Sequence, residues 1–410
     1  MADVDKAITF EDQVELGVRD RSKEMEVEVE IEEENLDLNE FEEMEDGSIM
    51  FGAPTPPMDN TDFYANLAEE LDSSELSTIK NDLMANVDSD KDSRSDWEKT
   101  YREGLEQLGM KYEERTQPFE GASGVMHPLL AESVTQFQAQ AYNELLPSQG
   151  PVKTQVLGMT TAESEQQASR VQEFMNYQLM QVMKEYDSET DQMLFYLPLS
   201  GSAFRKVYYD QNLGRAVSKF IPSEDLIVPY SATDLHSATR ITHCIDMSIN
   251  DIKKLQQVGF YRDVDISMGN IMADDYDEIQ EEIDELQGVS PNYNDTDTCK
   301  VHEIHTEFDI LGYEDLDSEG EPTEIKLPYI VTIANDKVLS IRRNYKETDQ
   351  LKQRINYFVH YKFLPVLGFY GFGLTHMIGG LSKASTSILR QLIDSGTLSN
   401  LPAGFKARGI

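Results

Sequence analysis

The sequence predicts an α+β protein in which a group of helices is followed by antiparallel strands and then by one long helix. The first observation is helical periodicity, because apolar side chains recur three and four residues apart in four segments before Pro198. The second is the alternation of apolar and polar side chains after Pro198, in short segments separated by turn residues. This pattern is typical of strands joined by hairpins. Predicted helices cover 63–83, 97–108, 129–146, 162–186 and 248–258, and predicted strands cover 201–210, 216–221, 225–229, 239–245, 301–310 and 328–341.

Residues 1–60 predict a disordered acidic arm. They hold twenty acidic and four basic side chains, a net charge of −16, and few aromatic ones. A run such as Glu24–Glu34 cannot bury enough apolar surface to offset the entropy of the chain. Residues 53–57, Ala-Pro-Thr-Pro-Pro, read as a linker after it. We expect a solvated tail, with docking on a basic partner as the alternative.

Composition excludes several classes of protein. The 410 residues contain 76 acidic against 35 basic side chains, and the net charge of −41 repels nucleic acid from most of the surface. The longest apolar run, 193–199, falls far below the ~20 residues of a membrane-spanning helix, and no apolar signal core begins the chain. Two cysteines without a CxxC partner suit a reducing compartment. We expect a protein that is neither secreted nor membrane-bound.

Four aspartates at alternate positions resemble a calcium-binding loop. The resemblance fails on chemistry, because Ser93 replaces the glycine of the sharp turn and Lys99 replaces the closing glutamate. We interpret this stretch as a helix N-terminus rich in acidic caps. The aspartates are Asp88, Asp90, Asp92 and Asp96.

A second candidate metal site lies in the predicted strand 301–310. Side chains alternate along a strand, so His302 faces away from Glu303, His305 and Glu307. Three convergent ligands are conceivable, but a polar strand face is the simpler interpretation. The Glu324-Ile325-Lys326 triplet matches the ExK of nucleases but lacks an upstream Pro-Asp strand end.

The loop 118–128 has the small residues of a phosphate cradle, but no lysine follows its glycines in P-loop order. No catalytic triad, nucleophile elbow or carboxylate pair stands out elsewhere. We therefore predict no catalytic residue, no cofactor and no bound metal. The predicted organisation is an arm at 1–60, an α+β domain at 61–365 with an acidic insertion at 264–298, and a helical region at 366–410.

The helical region is the part that most needs a partner. Its apolar side chains lie on one face of a helix, the remaining positions are mostly small or polar, and Gly396 and Pro402 end it. We expect this helix to associate with other copies and the chain to be cut short after it. The predicted oligomer face consists of Leu374, Met377, Ile378, Leu381, Ala384, Ile388, Leu389 and Leu392.

Several segments, in this order, resemble the portal proteins of tailed double-stranded DNA phages, particularly the large portals of short-tailed phages. Together they extend over roughly residues 93–410. The segments are 93–97, 104–109, 120–130, 141–147, 150–152, 201–210, 222–229 and 371–405.

The resemblance implies a subunit of a ring, usually of twelve copies, at one capsid vertex, through which DNA is packaged and ejected. Residues 61–365 would be its wing and the helical region 366–410 the start of its stem, with the returning stem helix, most of the clip and the crown absent. The implied partners are the large terminase subunit, the major capsid and scaffold proteins, tail adaptors, and double-stranded DNA passing without sequence-specific binding. The implied location is the virion, and the host cytoplasm during assembly.

Two other functions stay open at this point. A metal-dependent hydrolase would use His302, Glu303, His305 or Glu324. An acidic adaptor or scaffold protein would bind through the arm at 1–60. Metal analysis separates the first from a portal subunit, and deletion of the arm separates the second.

Overall fold

The computed structural model describes residues 63–109, 114–210, 213–266, 278–289, 298–315, 322–323, 325–365 and 368–400. The predicted arm at 1–60 and the expected helix stop at Pro402 lie outside these residues. The prediction that Gly396 ends the last helix is wrong, because that helix continues through Gly396 to Asn400. The helices are α1 Ser73–Ser93, α2 Ser95–Glu106, α3 Leu129–Leu145, α4 Ala162–Tyr177, α5 Glu185–Ser200, α6 Ile249–Gln257, α7 Glu278–Gln287 and α8 Leu374–Asn400. The strands are β1 Ser202–Asp210, β2 Arg215–Ile221, β3 Leu226–Ile227, β4 Arg240–Ser248, β5 Thr298–Phe308, β6 Leu327–Ala334, β7 Lys337–Arg343 and β8 Phe358–Lys362.

The strands form two antiparallel sheets, so the predicted α+β class with antiparallel strands is confirmed. One sheet has the order β2-β1-β8 and the other has the order β3-β4-β5-β6-β7. The β6–β7 turn shows the local cause of this topology. Asn335 and Asp336 both adopt positive φ, of 40° and 66°, as a two-residue hairpin turn requires.

Two of the apolar cores determine where the long helix α8 lies. One covers the five-stranded sheet, where Tyr329 and Ile304 pack against Leu83 and Val87 of α1. The other is helical and gathers α2, α3, α5 and α7 around the fully buried Tyr101. The first turns of α8 pack onto this helical core.

The acidic stretch at 88–92 is the end of a helix rather than the beginning of one. Helix α1 continues to Ser93 because no glycine or proline interrupts it, and α2 begins at Ser95. Asp90 is buried there and forms an ion pair with Arg240 of β4, with 2.6 Å between Nη2 and Oδ2. The prediction of a helix N-terminus at these aspartates is therefore wrong, except at Asp96 in the first turn of α2.

The predicted helix 162–186 is broken in two. Helix α4 ends at Tyr177, a π-helical turn covers Gln178–Val182, and Met183 leaves the helical region with φ −88° and ψ 77°. The interpretation of its apolar stripe as core is wrong for the first half, since Val171 and Phe174 are exposed, whereas Met183 in the second half is buried. Helix α4 instead meets the segment 152–154 through polar contacts: Asn176 Oδ1 accepts the backbone N–H of Val152 at 2.9 Å, and the Thr154 hydroxyl donates to the carbonyl oxygen of Ala168 at 2.9 Å.

The acidic segment 264–298 contains a packed helix. Within its described part, α7 buries Ile279 and Ile283, four residues apart, in the helical core beside α2. Among its acidic residues, Glu285 is exposed, whereas Glu281, Glu282 and Asp284 are half-buried.

Candidate functional site

Helix α8 carries the predicted oligomer face, and three glycines fix where it begins. A Cβ placed on Gly371 would lie 2.4 Å from the carbonyl oxygen of Gly201, and one on Gly373 would lie 2.5 Å from that of Leu199. Gly201 itself has φ 85° and ends α5. The backbone before α8 therefore crosses the α5–β1 junction in direct contact with it, which larger residues would prevent.

Small polar side chains form the face of α8 that is buried against its own chain. This face consists of Thr375, Gly379, Ser382 and Thr386. The Thr375 hydroxyl donates to the carbonyl oxygen of Leu199 at 3.0 Å, and Gly104 of α2 leaves room for this threonine. Beside this face, Leu374 and Ile378 of the predicted apolar stripe also pack on the helical core, so only part of that stripe stays open.

The loop 118–128, considered above as a phosphate cradle, binds α8 instead. The backbone N–H of Ser123 donates to Asp394 Oδ1 at 2.7 Å, and the backbone N–H of His127 donates to Thr386 Oγ1 at 3.0 Å. Arg390 Nε donates to the carbonyl oxygen of Val125 at 2.7 Å. The backbone N–H of Ser123, which could have donated to a phosphate, therefore already donates to a carboxylate of the same chain.

The eight predicted residues divide into two groups. Leu374 and Ile378 pack on the helical core, and Leu389 is half-buried. Ala384 is exposed. The remaining four are large apolar side chains open to solvent: Met377 at 58%, Leu381 at 62%, Ile388 at 66% and Leu392 at 70% exposure. We call these four the open stripe.

Two of the candidate metal residues on β5, Glu303 and His305, belong to a largely buried ionic cluster between the two sheets. Lys206 Nζ of β1 lies 2.6 Å from both carboxylate oxygens of Glu303, and His305 Nε2 lies 2.7 Å from Oε1. His302 falls on the opposite face of β5, as the alternation predicts, and Glu307 is exposed. Burial opposes the charge of Glu303, but Lys206 and His305 outweigh it and hold its pKa well below the usual range.

An ammonium group therefore stands where a metal ion would have to bind Glu303. Within the described ranges, no group of three or more His, Cys, Asp or Glu side chains is arranged to hold a metal ion. Glu324 of the ExK triplet lies outside those ranges.

Sequence reasoning missed a buried arginine that ties helices to strands. Arg94, between α1 and α2, donates from Nη1 to the carbonyl oxygens of Ser223 at 3.0 Å and Leu226 at 2.9 Å, and from Nε to Glu98 at 2.7 Å. Trp97 stacks on Tyr370 just before α8, with 4.6 Å between ring centroids. An arginine between two helices with a tryptophan three residues later is a weak signal, because surface helices show it too.

Comparison of the chain with protein-family models gave no match, and comparison with curated proteins gave none either. Among the helices of the described ranges, none has the length and apolarity that spanning a bilayer requires. The geometry of α8 and the resemblance of ordered sequence segments are therefore what supports a function.

Proposed function

We propose that this chain is a subunit of a portal ring at one capsid vertex, through which phage DNA is packaged and ejected. The observation that carries the proposal is the open stripe on α8. Its four side chains are more than half exposed, although the helix is firmly held on its opposite side by the chain's own residues. An exposed apolar face of this kind is stabilised when another protein surface covers it, and α8 of a second copy of the chain offers such a surface.

A ring is the assembly that suits this arrangement. The open stripe and the buried face lie on different sides of α8, so one copy presents its stripe to the next without leaving its own body. Contacts of this head-to-tail kind form a ring when the rotation from copy to copy closes on itself, and an open filament when it does not. In the proposed assembly, residues 61–365 form the wing and α8 enters the stem, with twelve copies as in the portals that the segments resemble.

The charge of the chain suits a channel for DNA. A net charge of −41 leaves few cationic contacts whose counterion release would hold the duplex in place. DNA would pass without sequence-specific binding. The large terminase subunit, capsid and scaffold proteins and tail adaptors are the partners that this role requires.

Electron microscopy and light scattering of the purified chain test the proposal. We expect particles with a central hole and a mass of many copies. The double variant Leu381→Asp/Ile388→Asp should abolish association, because association would bury unpaired carboxylates. Ser387→Asp, an exposed position on another side of α8, is the matched control and should still assemble.

Two results would overturn the proposal. One is a clean monomer in which the amides of α8 are protected from exchange and the open stripe is covered within the chain. The other is an oligomer whose mass is the same in the double variant and in the control.

A further inference from the structure

A groove of about 760 Å³ runs beside α8, where the helix faces the loop 115–126. One wall is a row of α8 side chains from Lys383 to Leu398. Fifteen residues of helix correspond to about 22 Å. An extended peptide of about seven residues has that length.

The groove combines an apolar wall with basic groups. Pro118, Phe119 and Met126 provide apolar surface, and Arg115, Lys383 and Arg390 contribute positive charge. The two acidic residues of the lining are Glu106 and Asp394, and Asp394 already accepts the backbone N–H of Ser123. Basic side chains thus outnumber acidic ones here, in a chain whose net charge is −41.

Gln107 adds a hydrogen-bond acceptor at the bottom of the groove. Its side chain is 6% exposed, and its Nε2 donates to the carbonyl oxygen of Glu103 at 2.9 Å. Its Oε1 is buried with no hydrogen-bond partner in the described structure. Leaving a buried acceptor without a donor is unfavourable, so a ligand that brings an N–H group is favoured.

We propose that this groove binds an extended acidic peptide segment of a partner protein. The carboxylates of the segment would contact Arg115 and Lys383, its apolar side chains would lie on Phe119 and Met126, and a backbone N–H would reach Gln107. A nucleic acid fits less well, because its phosphates bring no donor to Gln107, whereas each peptide bond of the segment carries an N–H group. The site does not depend on ring assembly.

Binding of a fluorescent peptide to the full chain, measured by anisotropy, tests this proposal. The probe is a peptide of about seven residues that alternates glutamate and valine. The comparison probes are a lysine–valine peptide of the same length and a single-stranded oligothymidine. We expect the acidic peptide to bind and both comparison probes to bind at least about tenfold more weakly, and the affinity to fall as salt rises.

Variants locate the site. Arg115→Gln/Lys383→Gln should weaken binding about tenfold for each charge-assisted hydrogen bond lost. Lys383→Gln alone removes only an exposed ion pair with Glu103, which contributes little to stability. It therefore replaces the double variant in the binding test if that variant does not fold. Lys99→Gln, exposed on α2 outside the groove lining, is the control and should bind as the parent does.

Three results would refute the proposal. They are no binding of the acidic peptide at millimolar concentration, equal binding by the groove variants and by Lys99→Gln, or tighter binding of oligothymidine than of the acidic peptide. The last would make the groove a nucleic-acid site.

Discussion

Replacement of Lys206 by methionine should destabilise the protein strongly, although no backbone hydrogen bond is lost. The Lys206 and Glu303 side chains are 15% and 17% exposed, so water screens neither charge well. Without Lys206, the Glu303 carboxylate stays largely buried between the two sheets, where His305 Nε2 still lies 2.7 Å from its Oε1. The perturbation therefore leaves a buried charge whose main counter-charge is gone.

The expected size follows from this environment. Breaking a buried ion pair by removing one partner costs about 3–5 kcal/mol, and we expect about 3 kcal/mol because His305 still donates to the carboxylate. The double variant Lys206→Met/Glu303→Gln removes both charges. It should be more stable than the single variant, with a coupling free energy of about 2 kcal/mol.

Urea unfolding of the four proteins of this cycle measures the effect. Lys219→Met is the matched control, because Lys219 lies directly opposite Lys206 on β2 but is exposed. Its unfolding midpoint should stay within the error of the parent. If Lys206→Met and Lys219→Met shift the midpoint equally, the ionic cluster does not stabilise the contact between the sheets and the reasoning fails.

Three further predictions concern acid stability, the crossing before α8 and the arm. Burial, with Lys206 adding to it, lowers the pKa of His243 to about 3 from 6.5, and burial also lowers the pKa of His305. The unfolded chain then binds more protons between these values, so the free energy of unfolding should fall as pH drops from about 6.5 towards 3; constancy in a pH series would contradict this. Gly371→Ala should lower the melting temperature because its Cβ would lie 2.4 Å from a backbone oxygen. Gly380→Ala in open space should leave the melting temperature unchanged or raise it, because alanine is favoured over glycine in a helix by ~1 kcal/mol; equal shifts would refute the steric argument. Amides of residues 1–60 should exchange almost without protection, and slow exchange there would show a folded or docked arm.

Periodicity was sufficient to predict the class of the fold and the apolar stripe of α8. Both depend on local repeats, which one sequence displays directly. The stripe residues were found because their spacing puts them on one face, whatever lies nearby. Which face of α8 is buried could not be found in this way. That face depends on Gly104, more than 270 positions earlier, leaving a space into which Thr375 fits.

The break between α4 and α5 shows another limit of sequence reasoning. Residues 162–186 keep one apolar spacing throughout, and no proline or glycine marks Met183. The π-helical turn shifts the register, so the second half of the pattern packs and the first half does not. A similar limit applies to Glu303 and His305, whose neighbour Lys206 comes from a strand almost a hundred residues earlier.

The glycine crossing before α8 has a mechanical consequence. Because Gly371 and Gly373 meet Gly201 and Leu199 backbone to backbone, no flexible side chain lies between them to absorb a displacement. A pull or tilt applied to the first turn of α8 must therefore move the end of α5 and the start of β1 by nearly the same amount. The position of α8 is thus coupled at that point directly to β1 and the three-stranded sheet.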